Sequence, residues 1–206
     1  LNIEGYLRRL PLALIAFRFA LAIACIVLGV VGRSLAINGL VFEAILILAV
    51  LSDIFDGVVA RRVGVVSAML RRLDSQTDLV FWLSAGLAAL LLHPEIARAY
   101  APGFLLLIGL EISCYGVSAL RFGRETCTHA YSAKFYGLTL LVGMSAILGF
   151  AHGGLPLWLM FVAGTLSGID VILIVLLLPR WNYDIPSSYH ALRLRRASRD
   201  TAEAGE

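Results

Sequence analysis

This sequence is poor in charge. Of its 206 residues only 15% are Asp, Glu, Lys or Arg, while 60% are hydrophobic and the mean hydropathy is +0.87. That balance excludes an ordinary water-soluble domain and makes the bilayer the solvent. Cysteine is scarce as well. Cys25, Cys114 and Cys127 are odd in number and widely spaced, which excludes a disulfide framework and a cysteine zinc site. His93, His129, His152 and His190 are scattered without metal-ligand spacing and read as loop or interface residues. There is no internal repeat and no long linker between apolar runs, so residues 1–206 read as one domain. No A-x-A-like site precedes a polar mature region, so a cleavable signal peptide is not expected. A net charge of +3 gives no support to a nucleic-acid partner.

What is present is a set of apolar runs. A hydrocarbon core of about 30 Å needs roughly 20 helical residues to cross it. Six runs approach that length: Leu12–Val31, Asn38–Ser52, Leu73–Leu92, Pro102–Leu120, Ala133–Phe150 and Leu155–Leu178. The expected fold is therefore all-α, a bundle of six transmembrane helices. The second run is short because its last turns, through Arg62, are polar. Orientation follows from the basic residues, which are retained on the cytoplasmic side. Fourteen of the 17 Lys and Arg flank the helices on one side, and the opposite loops hold only Arg33 and Arg98. Both termini are thus expected in the cytoplasm, in a multi-pass protein of the cell's inner membrane. The segment Leu1–Leu10 has Ile3, Leu7 and Leu10 at helical spacing and reads as a short helix in the membrane interface. The tail 181–206 combines a Trp-Asn-Tyr-Asp-Ile-Pro turn, a basic stretch suited to anionic headgroups and a frayed acidic end, Thr201–Glu206.

The informative stretch is Asp53–Asp78. Carboxylates at the end of a membrane helix are costly unless they are paired or face a polar cavity. Residues at i, i+3, i+4 and i+7 share a helix face, so Asp53, Asp56, Gly57 and Ala60 form one stripe. Asp74 and Asp78 form a second stripe at the start of the next helix. Gly64 supplies the bend between the helices and Ser67 a helix N-cap, so the four carboxylates can converge. Such a group repels itself unless protons or cations intervene. Hard divalent ions, Mg²⁺ above all, take a few carboxylates together with substrate phosphate oxygens. Gly57 and Ala60 leave the stripe bare enough for a nucleotide, and the Arg61 guanidinium matches phosphate geometry.

These residues closely resemble the signature of the CDP-alcohol phosphatidyltransferases, Asp-x2-Asp-Gly-x2-Ala-Arg-x8-Gly-x3-Asp-x3-Asp. Asp53, Asp56, Gly57, Ala60, Arg61, Asp74 and Asp78 stand at the required spacing, seven of the eight fixed positions. The exception is Leu70, at the second glycine. The resemblance implies that Asp53, Asp56 and Asp74 hold metal, two ions of Mg²⁺ or Mn²⁺, with Asp78 near the second ion and acting as general base. Gly57, Arg61 and Ser67 would contact a CDP-linked lipid donor. A homodimer is implied as well. The function expected is transfer of a phosphatidyl group from CDP-diacylglycerol to a small alcohol, such as glycerol 3-phosphate or an inositol compound, in phospholipid biosynthesis. A CDP-choline or CDP-ethanolamine phosphotransferase with a lipid acceptor is the alternative. A cation-coupled transporter would place its carboxylates nearer the midplane and is disfavoured.

Arg121, Arg124, Tyr131, Ser132 and Lys134 cluster on the cytoplasmic side of the fourth and fifth runs. Lys134, within the first turn of an apolar helix, is the candidate for a phosphorylated acceptor. Arg18, Glu43, Glu111 and Asp170 lie inside apolar runs and need partners, and an ion pair between Arg18 and an acid is expected.

Overall fold

The computed structural model describes residues 3–35, 39–124, 130–182 and 184–203. Asn38, Cys127, His129 and residues 204–206, all named above, fall outside them. Among the described residues every regular element is helical: α1 (Ile3–Leu35), α2 (Gly39–Val63), α3 (Ala68–Leu92), α4 (Pro94–Ala99), α5 (Ala101–Phe122), α6 (Tyr131–Leu148), α7 (Leu155–Leu177) and α8 (Ser188–Glu203). Among the described residues five helices are long and apolar enough to cross a membrane: α1 over Leu7–Gly32, α3, α5, α6 and α7. The chain is a multi-pass membrane protein. The remaining long helix, α2, has the length but carries Glu43, Asp53, Asp56, Arg61 and Arg62.

Two differences from the sequence reading stand out. A separate interfacial helix at the N-terminus does not form, because α1 runs on from Ile3 through Pro11. Proline removes one helical hydrogen bond there without ending the helix. The tail, read as a turn, a basic stretch and a frayed end, carries a helix, α8, over Ser188–Glu203.

The helices divide into two compact units, the first made of residues 1–99 and 141–157, the second of residues 100–140 and 158–206. In the first unit α1 packs along both α2 and α3. Its buried seam is Pro11, Ile15, Arg18, Ala22, Cys25, Gly29 and Gly32, spaced four and three residues apart. That is the spacing of a helix lying between near-parallel neighbours. Small residues let membrane helices approach closely. A Cβ placed on Gly29 would lie 2.9 Å from the Ala88 Cα of α3, and one on Gly32 would lie 2.8 Å from the Leu92 Cδ2. In α2, Glu43 Oε2 accepts a hydrogen bond from the Ser145 hydroxyl at 3.0 Å, while Oε1 is buried without a hydrogen-bond partner among the described residues.

The second unit uses glycine in the same way. A Cβ on Gly103 would meet the Phe161 ring at 2.7 Å, and one on Gly164 would meet the Tyr136 ring at 2.7 Å. Asp170 of α7 accepts from the Ser132 hydroxyl at 2.7 Å and from the Ser188 backbone N–H at 3.2 Å, tying the starts of α6 and α8 to α7. Ala130, Ile174, Leu178, Ile185 and Ala191 pack around that tie. Cys25 and Cys114 are buried free thiols.

Replacing Gly29 by Leu should destabilise the protein by about 1–3 kcal/mol, the usual cost of overpacking. Gly86→Ala, where nothing lies within 4 Å of the added carbon, should be neutral or stabilising. Thermal unfolding in detergent, comparing the two variants, checks the opposite signs.

Candidate active site

The turn between α2 and α3 is built as the sequence indicates. Gly64 has φ +70, in the left-handed region, and the Val65 N–H donates to the Ala60 carbonyl at 3.1 Å, closing α2 with a Schellman motif. Ser67 caps α3: its hydroxyl accepts from the Leu70 N–H at 3.2 Å and its carbonyl from the Arg71 N–H at 3.1 Å. The turn brings the carboxylates at the end of α2 to those at the start of α3. One oxygen from each of Asp53, Asp56 and Asp74 lies within 4.8 Å of the others.

The sequence reading missed what stands among them. Arg18 of α1, 1% exposed, contacts all four aspartates. Its Nη1 donates to Asp74 Oδ1 at 2.9 Å and to Asp78 Oδ1 at 2.5 Å. Its Nη2 donates to Asp56 Oδ2 and lies 3.4 Å from Asp53 Oδ1. The Nε donates to the Ser52 hydroxyl at 3.3 Å, which in turn donates to the Ala49 carbonyl at 2.7 Å. A buried guanidinium is tolerable only when its donors are answered in this way. The partners of Arg18 are therefore the site aspartates themselves, and Glu43 and Asp170 are held by hydroxyl groups instead. The signal was in the seam of α1, where Arg18 is the charged position. A charge on a buried seam must find its opposite on the facing helices.

The four carboxylates differ in access. Asp56 and Asp74 are 4% and 7% exposed, whereas Asp53 and Asp78 are 43% and 35% exposed. Beside them is a small pocket lined by Pro11, Ile15, Asp56, Gly57, Ala60, Val66, Leu70, Arg71 and Asp74. Leu70 thus faces the bare strip of Gly57 and Ala60, at the place its sequence position indicated. The Arg61 side chain folds back so that a Cβ on Gly57 would lie 3.4 Å from its Nη1. Lys134 belongs to the second unit, where its Nζ sits 5.5 Å from the Tyr131 ring centroid. Of the other cations considered for the acceptor, Arg121 donates to the Leu178 carbonyl at 3.0 Å and Arg124 lies 5.1 Å from the Trp181 ring centroid.

A set of carboxylate oxygens at this spacing suits a hard divalent ion. Ligand distances of about 2.0–2.6 Å place the oxygens around one ion at separations up to about 5 Å. A family profile described as CDP-alcohol phosphatidyltransferase matches residues 8–176, which takes in α1 through nearly all of α7. The chain belongs to the CDP-alcohol phosphatidyltransferase family. It is accordingly an enzyme, a membrane transferase of lipid biosynthesis that moves a phosphatidyl group from a CDP-alcohol to an acceptor. Comparison with curated proteins gives no match, and comparison with solved structures gives none.

Ser67→Ala should cost about 1 kcal/mol through loss of the α3 cap. Ser67→Asp should restore that stability, since aspartate caps equally well. Melting temperatures of the two variants against the native protein check this.

Proposed function

We propose that the chain transfers the phosphatidyl group of CDP-diacylglycerol to a small alcohol, such as glycerol 3-phosphate or an inositol compound, and releases CMP. The observation that carries this reading is the convergence of Asp53, Asp56 and Asp74 beside the side-chain-poor strip of Gly57 and Ala60. In it, those three aspartates hold Mg²⁺ or Mn²⁺, two ions in all, with Asp78 next to the second. What bound divalent ions supply is positive charge against the pyrophosphate as CMP departs. The residues of the chain do the rest.

The donor lies over Gly57 and Ala60, with Arg61 and Ser67 at its phosphates. Lys134 meets the phosphate of the acceptor. Asp78 takes the proton from the attacking hydroxyl. Arg18 engages Oδ1 of Asp78, and Oδ2 is left to receive that proton. Partial exposure of Asp78 suits a group that must meet an incoming alcohol.

The same reading makes α2 the sixth membrane span, because its aspartates are answered by Arg18 and one oxygen of Glu43 by Ser145. Residues 1–206 then form one phosphatidyltransferase domain in the inner membrane. The lopsided distribution of Arg and Lys supports cytoplasmic termini and a site facing the cytoplasm. The homodimer implied by the family resemblance belongs to this reading too.

Purified protein in detergent with Mg²⁺ or Mn²⁺ should release CMP from CDP-diacylglycerol when an acceptor from a glycerol 3-phosphate and inositol panel is supplied. A chelator should stop it. CMP release from CDP-choline alone would move the assignment to the alternative donor class. Asp78→Asn should lower kcat by about 10²–10⁴-fold, the usual worth of a general base, with donor binding retained. Leu70→Gly should lower the apparent KM for the donor, because the leucine side chain narrows the pocket against Gly57; an unchanged KM would mean that the donor passes it without contact.

A further inference from the structure

We propose that Arg18 is the resident counter-cation of the aspartate site: it holds the carboxylates together before a divalent ion arrives and competes with that ion for them. This rests on the metal reading above, in which Asp53, Asp56 and Asp74 are the ligands. All three of those carboxylates are already engaged by one guanidinium, two of them through Nη2 and the third through Nη1. Asp78 shares Nη1 with Asp74.

Four carboxylates this close would push α2 and α3 apart in an apolar surrounding, where charge is poorly screened. One guanidinium with a planar fork of five N–H donors can span both helices at once, which an ammonium cannot. Arg18 is anchored for the task. Its Nε is held by Ser52, and α1 packs along both α2 and α3. Four carboxylates against Arg18 and Arg71, which lines the same pocket and acts on Asp53, still leave two formal negative charges in the cluster, so a divalent ion is attracted to it. On arrival that ion meets a buried cation with 1% exposure. Like charges disfavour each other at this range, and the oxygens that Arg18 holds are withdrawn from the ion. Arg18 is a positioning residue by this account. It keeps the empty site assembled and sets how much divalent metal is needed to fill it.

The test compares native protein, Arg18→Gln and Arg18→Lys, purified in Mn²⁺ and then stripped with a chelator. Two readouts need no turnover: the melting temperature of the stripped protein, and Mn²⁺ affinity from the free-ion electron paramagnetic resonance signal. Native protein should stay folded after stripping, whereas Arg18→Lys, which keeps the charge without the fork, should melt between native protein and Arg18→Gln while its Mn²⁺ affinity stays within a few-fold of native. Arg18→Gln should lose stability or unfold when stripped, recover it when Mn²⁺ returns, and bind Mn²⁺ at least tenfold more tightly than native protein wherever the stripped form survives titration. An Arg18→Gln variant that keeps its native melting temperature after stripping, or binds Mn²⁺ no more tightly than native protein, overturns the proposal while leaving the metal site standing. Native protein that binds no Mn²⁺ removes the metal site itself, which is a distinct failure.

Discussion

The ion-paired cluster around Arg18 is the constraint on which the first unit depends. Charge inside an apolar helix bundle is costly unless every donor and acceptor is met, and here one side chain meets four carboxylates and a hydroxyl. Because the donors come from α1 and the acceptors from α2 and α3, α1 must lie close to both helices at the level of the cluster. The small residues further along α1 make that approach sterically possible, with Gly29 against Ala88 and Gly32 against Leu92. Polar chemistry at one end of the seam and bare backbone at the other are two halves of one packing solution.

Elsewhere several polar groups in apolar helices are answered by a near neighbour. Glu43 has Ser145, Asp170 has Ser132 and the first N–H of α8, and Arg121 has a carbonyl just past the end of α7. None of these pairs carries a net charge cluster, and they serve to fasten helix ends. The aspartate site differs because four carboxylates gather around one guanidinium, so several formal negative charges fall in one place, and that excess suits it to cations.

Much of this was legible in the chain. The six apolar runs locate α1, α2, α3, α5, α6 and α7, since length and hydropathy are decided locally. Gly64 and Ser67 were readable because a left-handed residue and an N-cap are also local requirements. Spacing put Asp53, Asp56 and Asp74 toward one place, where they come together, and the family resemblance put Leu70 beside them, where it lines the pocket with Asp56 and Asp74. What could not be read was which helix would lie between them. Arg18 is 35 residues or more from every aspartate it holds, and helical periodicity says which face it occupies but not what that face meets. The short α4 and the amphipathic α8 were missed for a different reason. Neither is long or apolar enough to register as a membrane run, and α8 owes its docking to contacts with α7 that only the fold creates.

The seam of α1 also raises the matter of register. A row of alanine and glycine is smooth, and in lipid, where apolar packing discriminates weakly between positions, two helices with smooth faces can slide along each other. Slipping α1 by one turn would carry the guanidinium about 5.4 Å along the helix axis. It would then lie away from its carboxylates and against hydrocarbon. Arg18 therefore works as a detent, indexing α1 against its neighbours, and the group that makes the site electrically tolerable also fixes the helices at one position along their lengths.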